Sequence, residues 1–203
     1  MKLYLVSDES VPLNELVTIV EEAIKGGVTA VQLREKKNTG LLFYEKAVRL
    51  KALTEKYRVP LFINDRVDIA LAANADGVHI GQEDLPLSQV KKMVPPSMLV
   101  GVSCGSVEEA IAAEQSGADY IGVGAVFPTQ SKDNAKLLPE GELERIIQSV
   151  TIPIVAIGGI KLRNLPAIRH LDIAGVAVVS EIMKANDPFK AAWLLREAFE
   201  SKK

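Results

Sequence analysis

Short apolar runs of strand type alternate with amphipathic stretches of helical period along the whole chain. The runs predict strands near 3–7, 28–33, 60–63, 77–80, 98–102, 119–123, 153–157 and 174–179. Between and after them, a period near 3.6 predicts helices near 13–25, 40–57, 66–73, 87–93, 106–116, 141–149, 162–169 and 187–200. The strands are apolar almost throughout, the pattern of a parallel sheet covered by helices. Eight such units in 203 residues sit at the lower size limit of a (β/α)8 TIM barrel.

A weak internal repeat supports that count. Gly27-Val28-Thr29-Ala30-Val31, Ala75-Asp76-Gly77-Val78, Gly117-Ala118-Asp119-Tyr120-Ile121 and Ile173-Ala174-Gly175-Val176 each join a helix end to a strand. Gly or Asn at such a joint supplies a left-handed cap, and small residues let the next strand enter without clash. These glycines are read as architecture. No linker, low-complexity tract or charge block divides the chain, so residues 1–203 form one domain in this reading.

Composition narrows the function classes. Apolar residues at 48% and charged residues at 25% describe an ordinary globular protein with ample core. A formal net charge of −2 offers no global attraction to nucleic acid or an anionic membrane, so cationic chemistry must be local. The single cysteine, Cys104, excludes an internal disulfide framework and fits a reducing compartment. The first six residues read as a strand start, too short for a secretory signal, and no apolar run reaches the roughly 18 residues of a membrane span. A soluble, cytoplasmic protein is expected. Phe189, Trp193 and Phe199 are spaced to pack the last helix onto the barrel.

Chemistry in such a barrel collects at the C-terminal ends of the strands. Ser7 and Asp8 follow the first strand, and Gln32, Arg34 and Lys36 the second. Asn64, Asp65 and Arg66 follow the third, and His79, Gln82, Glu83 and Asp84 occupy the fourth strand and its loop. Ser103 follows the fifth, Thr129, Ser131 and Lys132 the sixth, Gly158 and Gly159 the seventh, and Ser180 the eighth.

The stretch Val31-Gln32-Leu33-Arg34-Glu35-Lys36 stands out. Strand alternation puts Gln32 and Arg34 on one face and Val31 and Leu33 on the other. An amide, a guanidinium and an ammonium leaving one strand end suit a phosphate ester or pyrophosphate. A strand end passing into a solvated loop would carry the same residues, so the stretch alone does not decide. Asp65 and Asp84, on adjacent strand ends, fit a hard divalent ion such as Mg²⁺ completed by phosphate oxygens. Each has a competing role, Asp65 as a helix cap and Asp84 as the opening of the turn before Pro86.

The irregular loop from Phe127 to Gly141 has the length of a functional lid or of a surface loop. Gly158-Gly159 and Val179-Ser180 occupy the positions of a barrel phosphate grip. The two histidines, His79 and His170, read as structural, His79 as a hydrogen-bonded barrel residue. No relay stands beside Ser103 or Cys104, so a hydrolase is not supported. The rim therefore offers two anion sites, suited to joining two phosphorylated substrates with loss of pyrophosphate.

Six motifs taken together resemble the thiamine-phosphate synthase family. They are Gln32-Leu33-Arg34-Glu35-Lys36, Ile63-Asn64-Asp65, the run from Gly77 to Pro86, Gly101-Val102-Ser103, the run from Val123 to Lys132, and Ala156-Ile157-Gly158-Gly159-Ile160. They cover nearly the whole chain in the family's order. The resemblance implies condensation of 4-amino-5-hydroxymethyl-2-methylpyrimidine pyrophosphate with a thiazole phosphate, giving thiamine monophosphate and pyrophosphate with Mg²⁺. By position, Gln32, Arg34, Lys36 and Asn64 would hold the pyrimidine pyrophosphate, and Asp65 and Asp84 the metal. Ser103 and Lys132 would contact the pyrophosphate or pyrimidine. Thr129, Ser131, Gly159, Val179 and Ser180 would meet the thiazole phosphate.

Ser131 stands where the family usually has Thr, which keeps the hydroxyl, and the leading segment of many members is not matched. The implied mechanism is dissociative, with Arg34, Lys36, Lys132 and Ser103 as the catalytic set. A related thiazole tautomerase, which would need an acid–base residue and no pyrophosphate site, and a non-catalytic thiazole-phosphate-binding barrel are the alternatives. Expected partners are small-molecule substrates, with room for a homo-oligomer and none for nucleic acid or membrane.

Overall fold

Each predicted apolar run forms a strand that pairs in parallel with the next. They are β1 (Leu3–Val6), β2 (Ala30–Leu33), β3 (Leu61–Asn64), β4 (Gly77–Ile80), β5 (Leu99–Cys104), β6 (Tyr120–Val123), β7 (Ile154–Ile157) and β8 (Gly175–Val178). β8 returns to β1, with Ala177 opposite Tyr4, so the sheet closes in chain order as a (β/α)8 barrel. The computed structural model describes residues 1–129 and 136–201. The surrounding helices are α1 (Leu13–Lys25), α2 (Gly40–Lys56), α3 (Val67–Ala72), α4 (Leu87–Met93), α5 (Val107–Gln115), α6 (Glu142–Ser149), α7 (Ser180–Met183) and α8 (Pro188–Glu200). None is long and apolar enough to cross a membrane.

Alternation along the strands separates two cores. Leu3, Leu5, Val31, Leu33, Leu61 and Ile63 belong to the outer core beneath the helices, while Tyr4, Val6, Ala30, Phe62, Tyr120, Val155 and Ala177 form the inner one. Each fully buried Leu, Ile or Val contributes about 1.5–3 kcal/mol against its conformational cost. The inner core is aromatic on one side: Phe62 lies 5.4 Å from both Tyr4 and Tyr120, ring centre to ring centre. Glycines on neighbouring strands make that room. A Cβ on Gly101 would sit 2.1 Å from Cζ of Tyr120, and one on Gly77 2.4 Å from the Phe62 ring.

Three expectations are corrected. The helix expected over 162–169 is only a 3-10 turn at Leu165–Ala167. There the Asn164 side chain accepts the Lys161 N–H at 2.7 Å and donates to the Gly159 carbonyl at 2.9 Å. Such local side-chain bonds compete with helical ones, and Pro166 removes a backbone donor. Conversely, the single-turn α7 follows β8 where the periodicity predicts no helix. Finally, Phe199 is buried but Phe189 and Trp193 are 43% and 49% exposed, so Ala192 and Leu195 supply the rest of the buried face of α8.

Candidate active site at the barrel mouth

β2 enters the mouth as the alternation requires. Gln32 is buried in the barrel, and its Nε2 donates to the Tyr4 hydroxyl at 3.1 Å. From there a polar chain crosses the interior. The Tyr4 and Tyr120 hydroxyls are 3.0 Å apart, the latter is 2.9 Å from Nδ1 of His79, and Nε2 of His79 is 2.9 Å from Oγ of Ser103. Burial pushes both tyrosine hydroxyls well above their ordinary range, which keeps them protonated as links in the chain. Gln32 and Ser103 are thereby set by one hydrogen-bonded path; a histidine does stand beside Ser103, against the expectation, but the other ring nitrogen of His79 meets the Tyr120 hydroxyl and not the carboxylate a nucleophile relay would place there. Ser103 is also tied through its carbonyl to the Gln82 amide at 2.7 Å.

Beyond Leu33 the chain carries its charges onto the rim. The Arg34 N–H donates to Oγ of Ser7 at 2.9 Å, and the side chain's positive charge helps to hold the Asp8 and Glu9 carboxyls down. At both acids burial pushes upward, and hydrogen bonds together with nearby cations, Arg34 among them, reverse the sign. Lys36 reaches across to Asp65, with which it forms an ion pair.

Asp65 and Asp84 come together. Asp65 follows β3 with a backbone in the left-handed region, φ 62°, and its N–H donates to the His79 carbonyl at 2.8 Å. It does not cap α3, whose N-cap is Arg66 with no side-chain cap bond. Asp84 closes the turn after β4 by accepting the Gly81 N–H at 2.7 Å. Burial pushes the Asp84 carboxyl up; the Gly81 amide opposes that, while Asp65, close enough to hydrogen-bond with it, adds to it. Two carboxylates that repel each other at one point are a hard-oxygen donor pair. Beside them, Asn64 is buried, and its Nδ2 has no hydrogen-bond partner among the described residues. An orphaned amide of that kind is uncommon unless a ligand completes it. Among the described residues no group of three or more His, Cys, Asp or Glu forms a metal cluster, so this pair would need oxygen donors from a bound anion.

On the other side, the loops after β6 and β7 interlock. The Val126 and Phe127 N–H groups donate to the carbonyls of Ile157 and Gly158 at 2.9 and 3.0 Å. Gly159 has φ 63°, and a Cβ there would lie 2.4 Å from the Pro128 carbonyl oxygen. The glycine pair therefore serves first to let the loop carrying Thr129 approach, a role the phosphate-grip reading did not contain. Val179 and Ser180 leave β8 into α7, and Lys184 at the end of that turn lies 3.9 Å from Asp8 in the neighbouring loop after β1. Ser131 and Lys132 lie outside the described residues.

Sequence reasoning missed Tyr4 and Tyr120 as the interior links between Gln32 and Ser103. Their signal was a hydroxyl-bearing ring at inward-facing strand positions. It also gave Glu35 and Lys46 no role, although a lysine between Phe43, Ala47 and Leu50 on the buried face of α2 is unusual.

Comparison with known proteins places the chain in a family. The thiamine monophosphate synthase family model matches residues 3–182. A thiamine-phosphate synthase of Methanobrevibacter smithii is 48% identical over 202 residues, covering 100% of this chain and 97% of that protein. One from Ruminiclostridium cellulolyticum is 49% identical over 201 residues, with 98% and 96% covered. The solved thiamine phosphate pyrophosphorylase of Pyrococcus furiosus superposes with a TM-score of 0.90 at 42% identity, covering 98% and 95% of the two chains. A 3-hexulose-6-phosphate synthase structure, TM-score 0.75 at 19% identity, shares the barrel alone. By sequence over almost its full length, the chain belongs to the thiamine monophosphate synthase family.

Proposed function

We propose that this rim joins 4-amino-5-hydroxymethyl-2-methylpyrimidine pyrophosphate to 4-methyl-5-(2-phosphoethyl)thiazole, with Mg²⁺ held by Asp65 and Asp84. Family membership makes the chain a transferase of thiamine biosynthesis, a thiamine-phosphate synthase. The observation that carries the assignment of roles is the meeting of Asp65 and Asp84 beside Lys36, next to an Asn64 amide that has no partner among the described residues. Bare carboxylates would repel the diphosphate that Arg34 and Lys36 attract. A divalent ion at that pair removes the conflict and supplies charge neutralisation for the leaving group.

The reaction breaks the bond between the pyrimidine methylene carbon and the diphosphate oxygen, and the electron pair leaves with the oxygen. The thiazole nitrogen lone pair then forms the new carbon–nitrogen bond. No strong general base is needed, so the work of the side chains is charge stabilisation and alignment. Arg34 and Lys36 hold the departing diphosphate, with Lys132 as a third cation. Gln32, Asn64 and Ser103 orient the pyrimidine half. Thr129, Ser131, Gly159, Val179 and Ser180 hold the thiazole phosphate at the distance from which its nitrogen can attack.

The direct test measures pyrophosphate release with both substrates, with each omitted, and with a metal chelator. Release requiring both substrates, abolished by chelation and restored by Mg²⁺, is expected. Isomerisation of the thiazole substrate without pyrimidine or metal would make the chain a tautomerase instead. Undiminished release in chelator would remove the metal from Asp65 and Asp84.

A further inference from the structure

Beneath the cationic loop lies a buried ion pair that the chemistry above leaves unused. Lys46 of α2 places its ammonium 2.9 Å from Oε1 of Glu35, and the two side chains are 3% and 0% exposed. The same ammonium is 3.3 Å from the Val11 carbonyl and 3.5 Å from that of Glu9. Its acceptors thus come from two loops, the one after β1 and the one after β2.

Glu9 closes the circuit. Its Oε2 accepts the backbone N–H groups of Lys36 and Lys37 at 2.6 and 3.0 Å. The other oxygen of Glu35 is taken by the Asn38 side-chain amide. With Ser7 holding the Arg34 N–H, every residue from Arg34 to Lys37 is tied by backbone or side chain to a fixed partner.

A buried ion pair is a weak device for stability, because apolar residues of similar volume fill such a site at equal or lower cost. Its distinctive property is direction. An ammonium has three donors, and here three acceptors from two loops converge on it. We propose that Glu35, Lys46 and Glu9 are positioning residues for diphosphate binding, locking the loops after β1 and β2 together so that Arg34 and Lys36 meet the anion as a preformed pair. The inference rests on the assignment of Arg34 and Lys36 to the diphosphate. A lysine on an untethered loop would have to be ordered at each binding event, and that cost would appear in affinity.

Two folded variants test this. Glu9→Ala removes a half-exposed carboxylate and strands no buried charge. The pair Glu35→Leu with Lys46→Met removes both buried charges together, and thermal midpoints check that each variant is folded. In both, KM for the pyrimidine pyrophosphate rises about tenfold or more while KM for the thiazole phosphate stays within about twofold. Lys46→Arg, which keeps the charge, retains part of the affinity that the double variant loses.

Folded variants with an unchanged KM for the pyrimidine pyrophosphate, or with both KM values rising together, would overturn the proposal. Calorimetric titration with inorganic pyrophosphate and Mg²⁺ gives an independent readout: weaker binding in the variants supports it, and equal affinity sinks it. If the parent released no pyrophosphate in the assay above, the functional reading would fail, and this titration would still decide the present inference.

Discussion

At the level of single residues, Asp65 shows how backbone and charge were settled together. Its φ of 62° lies where few residues other than Gly are comfortable, and Asn and Asp are the best tolerated of the rest. Asp65→Asn therefore keeps the backbone and removes only the charge; Asp84→Asn keeps an oxygen that can still accept the Gly81 N–H. Each is expected to lower kcat by on the order of a hundredfold or more, as loss of one preorganised electrostatic group does. Thermal midpoints should stay within a few degrees, about 1 kcal/mol. Wild-type turnover in either variant at saturating Mg²⁺ would dissociate the carboxylates from the chemistry. The placement of Gln32, Arg34, Lys36, Asn64, Asp65 and Asp84 at the ends of β2, β3 and β4 was legible because strand ends and side-chain alternation are local properties. The bond from Lys46 to Glu35 was not, since nothing in either neighbourhood says which helix face the loop will cover.

Among the elements, α8 is where local pattern and packing disagree. Its aromatic spacing suggested three residues against the barrel, but only Phe199 is buried, because the small Ala192 and the branched Leu195 fit the contact with α1. What fastens its last turn is polar. Glu200 accepts from Arg196 at 2.7 Å and pairs with Lys2, just before β1, at 3.1 Å. The Arg196 hydrogen bond, then that of Lys2, holds the Glu200 carboxyl down at about 2 from an ordinary 4.5. A carboxylate depressed in the folded state adds stability above its unfolded value, and that contribution fades as pH falls through the folded one. Glu200→Gln should therefore cost under about 1 kcal/mol at pH 6, as befits a largely solvated pair. The deficit should shrink between pH 4.5 and 2, read as converging urea midpoints. A deficit independent of pH would show that the charge is not what matters. The failed expectation of a helix over 162–169 belongs to this scale too: the periodicity was present, but Asn164 and Pro166 offered the backbone other bonds.

In the whole molecule, closure of the sheet makes the site. Tyr4 and Tyr120 are 116 positions apart in the chain and share one hydrogen bond inside the barrel, on the path from Gln32 to Ser103. Gly101→Ala places a methyl group against Tyr120, where the nearest ring carbon is 2.1 Å away. Overpacking of this kind costs about 1–3 kcal/mol, and here it should also raise KM for the pyrimidine substrate by displacing the ring from His79. A variant that loses stability without any change in KM would confine the interior chain to folding. By itself the amino-acid order determined the number and order of the strands, seven of the eight helices (all but α7), the parallel sheet, and which polar residues stand at strand ends, because those follow from periodicities of two and 3.6 residues. Only the tertiary structure decided that Asp65 meets Asp84, that the glycine pair after β7 admits the neighbouring loop, and that one buried lysine binds two loops. These depend on how the barrel brings segments distant in sequence within hydrogen-bonding reach, which no local pattern encodes.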